Sequence, residues 1–433
     1  MTPERGSSKA SAPETGPNGT SLPRGATTVV VILTAMNLLN YMDRYAPSAV
    51  KDLFKHDLGF TDAQTSYPLS AFVIVYMLTS PVFGALSDRW PRKLLIAFGV
   101  GVWSIATGAA AFSVGFWSFL LARAIVGVGE AAYATISPAL ISDFFPPARR
   151  NFVLTFFYVA IPVGSALGFI LGGALGTHFG WRYAFMMVGF PGTVAAALIL
   201  LVRDPGRGTY DTDKSGTPPR WAEALRLLLA NREYVVAVLG YAAVTFGSGA
   251  LADWFATFLY RHRGFSLVEA DSFTGTSAVI GGIGGTLAGG LVADRLKGRT
   301  RKPYLALCAV SMALATVFAV VALSSETKTE IVVGVYLAQF FLWFYNGPIN
   351  AIIVNSVSSA IRVRAFALSI FTIHVLGDAI SPSVVGTISD VSSLPLAIAL
   401  VPVALGLGAL IWMYGWRTLP ESEAPNGCTW GRE

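Results

Sequence analysis

Seven ionisable residues stand inside long apolar runs of this 433-residue chain. Asp43 and Arg44 lie in the first run, Arg123 and Glu130 in the fourth, Asp253 in the seventh, and His374 and Asp378 in the eleventh. Charge inside hydrocarbon is costly, so such residues turn toward a protein interior and are candidates for function. Arg123 and Glu130 are seven residues apart, two helical turns, and share one face. The first and fourth runs cross the membrane in opposite senses. Counting about 1.5 Å per residue places Asp43, Arg44 and Arg123 in one half and Glu130 near the centre. Two acids and two bases can then pair.

Burial favours the protonated form of a carboxylate, and a nearby arginine favours the ionised form. Movement of Arg44 or Arg123 relative to Glu130 therefore loads or releases a proton, with Asp43 assisting. The same four residues also read as a permanently paired network that fixes helix packing. Arg44 and Arg123 offer planar forks that suit a phosphate, a reading that stands beside internal ion pairing. His374 and Asp378, spaced i and i+4, meet on one helix face and either relay protons or hold two helices together. Asp253 stands alone beside Trp254 near a helix end and reads as partly solvated. The tenth run carries the amides Asn346, Asn350 and Asn355, with Phe341, Trp343, Phe344 and Tyr345 nearby. With Trp254 these residues make one cavity wall aromatic and polar opposite a charged wall of Arg44 and Arg123, if they do not simply face lipid. Such a cavity suits an amphipath.

Composition supplies the setting. Apolar residues make up 54% of the chain and charged residues 13%, with a mean hydropathy of +0.59. A soluble domain carries about 25% charged residues. Forty-four glycines fit a polytopic membrane protein. Two cysteines, Cys308 and Cys428, make no disulfide framework. The net charge of +6 does not indicate nucleic acid, because the basic residues sit in short loops between apolar runs. His56, His178, His262 and His374 are scattered and form no metal set. With no phosphate-binding loop and no nucleophile elbow, neither an enzyme nor a cofactor is expected.

Segments of about 20 apolar residues can span a bilayer. Twelve are expected, at roughly 27–50, 65–87, 94–112, 117–141, 151–175, 183–202, 233–259, 269–293, 303–323, 331–357, 365–387 and 394–416. This all-helical chain divides into a disordered tail (1–25), an N-terminal six-helix bundle (26–203), a linker (204–232), a C-terminal six-helix bundle (233–417) and a second tail (418–433). Twenty-three Lys and Arg fall in the tails and the loops on their side, against six in the opposite loops. Both termini are therefore expected in the cytoplasm. The first run is too long for a signal peptide. Asn18-Gly-Thr20, a glycosylation sequence, falls in the cytoplasmic tail and is expected to stay unmodified.

The halves repeat. Gly84-Ala-Leu-Ser-Asp88-Arg89 follows the second run, and Gly290-Leu-Val-Ala-Asp294-Arg295 follows its counterpart 206 residues later. Internal repeats of this kind belong to transporters that bind substrate near the midplane. The stretch from Gly84 through Asp88, Arg89, Arg92 and Lys93 resembles the loop signature of the major facilitator superfamily, with Pro91 where a glycine is usual. The resemblance implies twelve helices in two bundles and a latch formed by Asp88, Arg89, Arg92, Asp294 and Arg295. Four further blocks resemble the spinster (sphingolipid transporter) family: Asn40-Tyr-Met-Asp43-Arg44-Tyr45, Arg123 to Ala131, Ala160 to Ser165, and His374 to Pro382. That resemblance implies a monomeric secondary transporter of a lysophospholipid or sphingosine-1-phosphate-like lipid, and an acidic–basic pair in the central cavity. Protons and membrane lipids are its expected partners, and a bacterial inner membrane its expected location. Proton-driven export of small organic molecules or sugars is the alternative. A lipid-responsive sensor or scramblase without a driven cycle is a further one.

Overall fold

The structure, a computed structural model, describes residues 25–87, 89–202, 221–296, 303–357 and 361–419. Among these residues, twelve helices are long and apolar enough to cross a membrane. The first six are α1 (Ala26–Ala49), α2 (Asp62–Ser87), α3 (Arg92–Ala110), α4 (Phe116–Phe144), α5 (Phe156–Phe179) and α6 (Trp181–Leu200). The second six are α7 (Arg232–His262), α8 (Leu267–Ala293), α9 (Tyr304–Ser324), α10 (Lys328–Ile353), α11 (Arg364–Val391) and α12 (Leu394–Thr418). Each expected span falls on one of these helices. Helices satisfy their own backbone hydrogen bonds, which hydrocarbon demands. Leu78, Ile105, Leu121, Val194, Leu287 and Leu410 are among the apolar side chains left on the outside.

An even number of spans returns the chain to the face on which it starts. We call the side of residues 25 and 419 the terminal face and the opposite side the distal face. A short helix, Lys51–Leu58, links α1 to α2 on the distal face. The Asp57 carboxylate on it accepts hydrogen bonds from Arg182 and the Trp181 indole at the start of α6. Those donors hold the Asp57 carboxyl below its usual range. Residue 203 and linker residues 204–220 lie outside the described residues, and Trp221–Ala230 is helical with Ala224 and Leu228 buried. Residues 1–24 and 420–433, which include nearly all of both expected tails, also lie outside the described residues.

Each bundle is drawn together by small residues at four-residue spacing. Gly164, Gly168 and Gly172 of α5 lie against α1. A Cβ at Gly164 would stand 2.6 Å from the Leu38 carbonyl oxygen and 2.9 Å from Tyr41 Cβ. Gly281, Gly285 and Gly289 of α8 lie in the same way against Gln339, Phe340 and Phe344 of α10. With little hydrophobic drive between helices in lipid, close backbone approach supplies the attraction. The interior is interrupted in the C-terminal half. Helix α10 turns at Phe344–Tyr345, and α11 passes through a π-helical segment, His374–Asp378, in which Gly377 leaves helical geometry (φ −112°, ψ −110°).

Crowding at the α1–α5 contact predicts that Gly164→Leu costs about 1–3 kcal/mol and lowers the unfolding temperature in detergent. Gly101→Ala, where nothing lies within 4 Å of the added Cβ, should leave that temperature unchanged or raise it.

Candidate functional site

The four charges expected to meet in the N-terminal bundle do meet, as two crossed pairs. Arg123 Nη1 donates to Asp43 Oδ1 at 2.9 Å, and Arg44 Nη2 donates to Glu130 Oε2 at 2.7 Å. Helices α1 and α4 run antiparallel, so neighbours on α1 reach residues two turns apart on α4. Asp43, Arg123 and Glu130 are buried, while about a fifth of the Arg44 side chain is exposed. Thr107 of α3 donates to the second oxygen of Asp43. Phe72 of α2 lies under both guanidinium groups, with its centroid 5.0 Å from Arg44 and 5.8 Å from Arg123. Tyr41 and Tyr76 face Arg44 at 4.9 and 5.6 Å.

This tetrad retains unspent polar capacity. Arg44 Nε, Arg123 Nη2, Asn40 Nδ2 and Glu130 Oε1 are buried without a hydrogen-bond partner. Unpaired polar atoms in a low-dielectric interior are expensive, and a polar ligand that satisfies them gains that cost back.

A second cluster, on the distal side, joins the two bundles. Asp253 of α7 is buried and forms an ion pair with the equally buried Lys51. Ser48 and Ser66 donate to its two oxygens at 2.9 and 3.0 Å. The Lys51 ammonium also stands 3.8 Å from the centre of the Trp254 ring. Around this pair, Arg261 of α7 binds Asp52 at 2.7 Å and both oxygens of Asp62 at 3.0 Å. Asp390 of α11 accepts the backbone N–H groups of Asp62 and Ala63 at 2.8 and 2.9 Å. It thus caps the N-terminus of α2 from the opposite bundle. Ser70 and Ser383 meet at 2.7 Å. A small cavity bordered by Arg44, Arg123, Lys51 and Asp253 separates the tetrad from this seal.

The remaining expected residues fall elsewhere. Asp253 is not the partly solvated residue that its isolation in sequence suggests, because its partners come from α1, α2 and the distal helix. Trp254 does not line a cavity. It is fully buried, and its indole N–H donates to the Pro382 carbonyl at 2.9 Å. Phe344 and Tyr345 are buried in the C-terminal bundle, where Tyr345 packs on Tyr241 and Trp412. Asn346 and Asn350 are partly buried on α10, and the Asn350 amide turns back onto the Asn346 carbonyl at 2.7 Å. His374 and Asp378 are brought together, with Nδ1 and Oδ1 2.8 Å apart. Arg92 pairs with Asp143 at the terminal end of α4, and Arg89 and Arg295 are exposed. Asp88 lies outside the described residues, as does the side chain of Asp294. Sequence reasoning passes over Lys51, Asp62, Asp390 and Asp271. Each sits at or near the end of an apolar run, where a charge reads as solvated.

Comparison with known proteins places this geometry. Residues 33–382 match the family model of the Major Facilitator Superfamily. Protein spinster homolog 1 of Xenopus tropicalis is 33% identical over 386 residues, covering 85% of this chain and 73% of that protein. The sphingosine-1-phosphate transporter SPNS2 of Danio rerio is 32% identical over 419 residues, covering 88% and 82%. The fold matches the crystal structure of a bacterial homolog to the human lysosomal transporter Spinster, described as inward-facing and unoccupied. The TM-score is 0.81 at 22% identity, over 91% of this chain and 97% of that one. With twelve spans, two bundles and this degree of identity, the chain belongs to the spinster family of the Major Facilitator Superfamily, a family of multi-pass membrane transporters.

Proposed function

We propose that the protein carries an amphipathic lipid with an anionic headgroup, of the lysophospholipid or sphingosine-1-phosphate type, by alternating access coupled to protons. The observation that carries this reading is the tetrad: two guanidinium groups, each with an unpaired N–H, stand beside two carboxylates in a buried site. A phosphate offers the several acceptor oxygens that such forks recognise. The name of the zebrafish relative, a sphingosine-1-phosphate transporter, agrees with that chemistry. Tyr41, Phe72 and Tyr76 supply apolar surface next to the charges.

In this reading the headgroup competes with Glu130 for Arg44 and with Asp43 for Arg123. A carboxylate that loses its arginine in a buried site takes up a proton. Substrate entry and protonation are thus two ways of freeing the same guanidinium. Asn346 and Asn350 bear on the cargo from the C-terminal bundle, and His374 with Asp378 forms a second proton-exchanging pair. The terminal face is the cytoplasmic one, as the bias of Lys and Arg supports, and Asp88, Arg89, Arg92, Asp294 and Arg295 latch the two bundles there. The protein acts as a monomer in a bacterial inner membrane.

Uptake of labelled lysophospholipid or sphingosine-1-phosphate into proteoliposomes, with and without a pH gradient, tests the proposal. Uptake should follow the gradient, and Glu130→Gln should abolish that dependence. Arg44→Ala or Arg123→Ala removes a charge-assisted contact of about 1.5–3 kcal/mol and should weaken apparent affinity roughly tenfold to a hundredfold. Arg44→Lys, which keeps the charge but not the fork, should fall between. Uptake indifferent to the gradient in both the parent protein and Glu130→Gln would assign Glu130 to packing. An absence of uptake would overturn the cargo.

A further inference from the structure

Asp271 is the one acid among the described residues whose two carboxyl oxygens are both buried without a hydrogen-bond partner. It lies one turn inside the distal end of α8 and has no exposed surface. Its side chain rests on the bare backbone of Gly173 in α5, where an added Cβ would stand 2.9 Å from Asp271 Cβ and collide with the carboxyl group. One turn further on, Gly275 approaches Ala166 and Phe169 of α5 in the same manner. Helix α5 belongs to the N-terminal bundle and α8 to the C-terminal bundle, so the carboxyl group is enclosed by a seam between the two. Its surroundings are apolar: Ala270 beside it belongs to one buried cluster with Ala49 and Phe169.

An ionised carboxylate cannot be held there. Removing the charge from water with neither a counter-ion nor a donor costs far more than taking up a proton. The charged and titratable groups of the surrounding elements do not change this. The distal helix brings Asp52, bound to Arg261 of α7, and Lys51, bound to Asp253 of α7. Helix α10 brings Lys328, bound to Glu269 of α8, together with Glu330. His178 of α5 and His262 of α7 are exposed. Asp52, an acid, opposes a negative charge on Asp271.

We propose that Asp271 is a proton-binding site of the distal seam, protonated while the bundles are closed against each other and ionised when they part. Separation of α5 from α8 brings the carboxyl group to water on the distal side. The O–H bond breaks, the proton passes to that water, and the carboxylate stays hydrated. Closure requires the reverse. One proton is therefore taken up from the distal side each time the distal face shuts, independently of cargo and of the tetrad. The sign is fixed: the closed state binds one more proton than the open state, so rising pH favours opening, by up to about tenfold per pH unit. Lys51 works in the opposite direction. Burial pushes its ammonium below the usual lysine range, so its titration favours closure as pH rises. Asp57, held low by Arg182 and Trp181, titrates well below neutrality and contributes nothing between pH 6 and 9.

The test is a distance measurement across the distal face without substrate. Spin labels at Val114→Cys and Glu326→Cys report the two bundles from exposed turns, in a background in which Cys308 and Cys428 are replaced by Ala. In the parent protein in nanodiscs, the long-distance population should grow at least about tenfold from pH 6 to pH 9, whereas in Asp271→Asn it should stay level or fall, as Lys51 alone would dictate. Asn imitates the protonated acid in shape and should hold the closed state. Asp271→Ala, smaller and equally uncharged, should flatten the profile in the same way and serves if Asn fails to fold. Glu130→Gln should retain the response. A parent protein with no pH response, or an Asp271→Asn profile that follows the parent, would overturn the proposal. So would a response lost in Glu130→Gln but kept in Asp271→Asn.

Discussion

A buried ion pair between the two bundles anchors the contacts of the distal face. Lys51 and Asp253 are separated by 202 residues and both lie out of water. Charges so buried are tolerated only with a close partner and further hydrogen bonds, which Ser48, Ser66 and the face of Trp254 supply. Each member is partnered from the opposite bundle, Asp253 by Ser48 and Ser66 and Lys51 by the ring of Trp254. The distal face is therefore held shut by groups that become costly when it opens. The surrounding contacts follow the same logic, since Asp390 caps α2 and Arg261 bridges Asp52 and Asp62 from across the interface.

Behind this seal the tetrad uses charge differently. Its ion pairs lie within one bundle, so parting of the bundles does not break them. What can break them is a competitor for the guanidinium groups, whether a proton on the partner acid or an anionic headgroup. The glycine stripes complete the mechanical picture. They bring α1 against α5 and α8 against α10 by close backbone contact. Helices α5 and α8 meet across the two bundles at a seam where Asp271 rests on Gly173.

Much of this was legible in the sequence, and the limits have a physical cause. The spans follow from hydropathy because hydrocarbon leaves the backbone no alternative to a helix. The tetrad could be anticipated because its four members lie on two antiparallel helices at matching depths. His374 and Asp378 met for a still simpler reason, their i, i+4 spacing. Asp253, Trp254 and Asp271 could not be read, because their environments are made by residues of the opposite bundle or of distant helices. Trp254 looked like a cavity aromatic, yet it spends its indole N–H on Pro382 and its ring on Lys51. The breaks fall at Phe344–Tyr345 and at His374–Asp378, about one turn before Pro348 and Pro382, each of which lacks the N–H that would bond four residues back.

The Lys51–Asp253 pair links the two bundles energetically. A double-mutant cycle on Lys51→Met and Asp253→Leu measures this link most directly, with the closed and open populations of the distal face as the readout. Each single substitution strands a buried charge and should favour the open state by about 3–5 kcal/mol. The double substitution, which buries two apolar groups in place of the pair, should recover a large part of that loss. Single effects that simply add, or single substitutions that leave the distal face closed, would show that the pair does not couple the bundles.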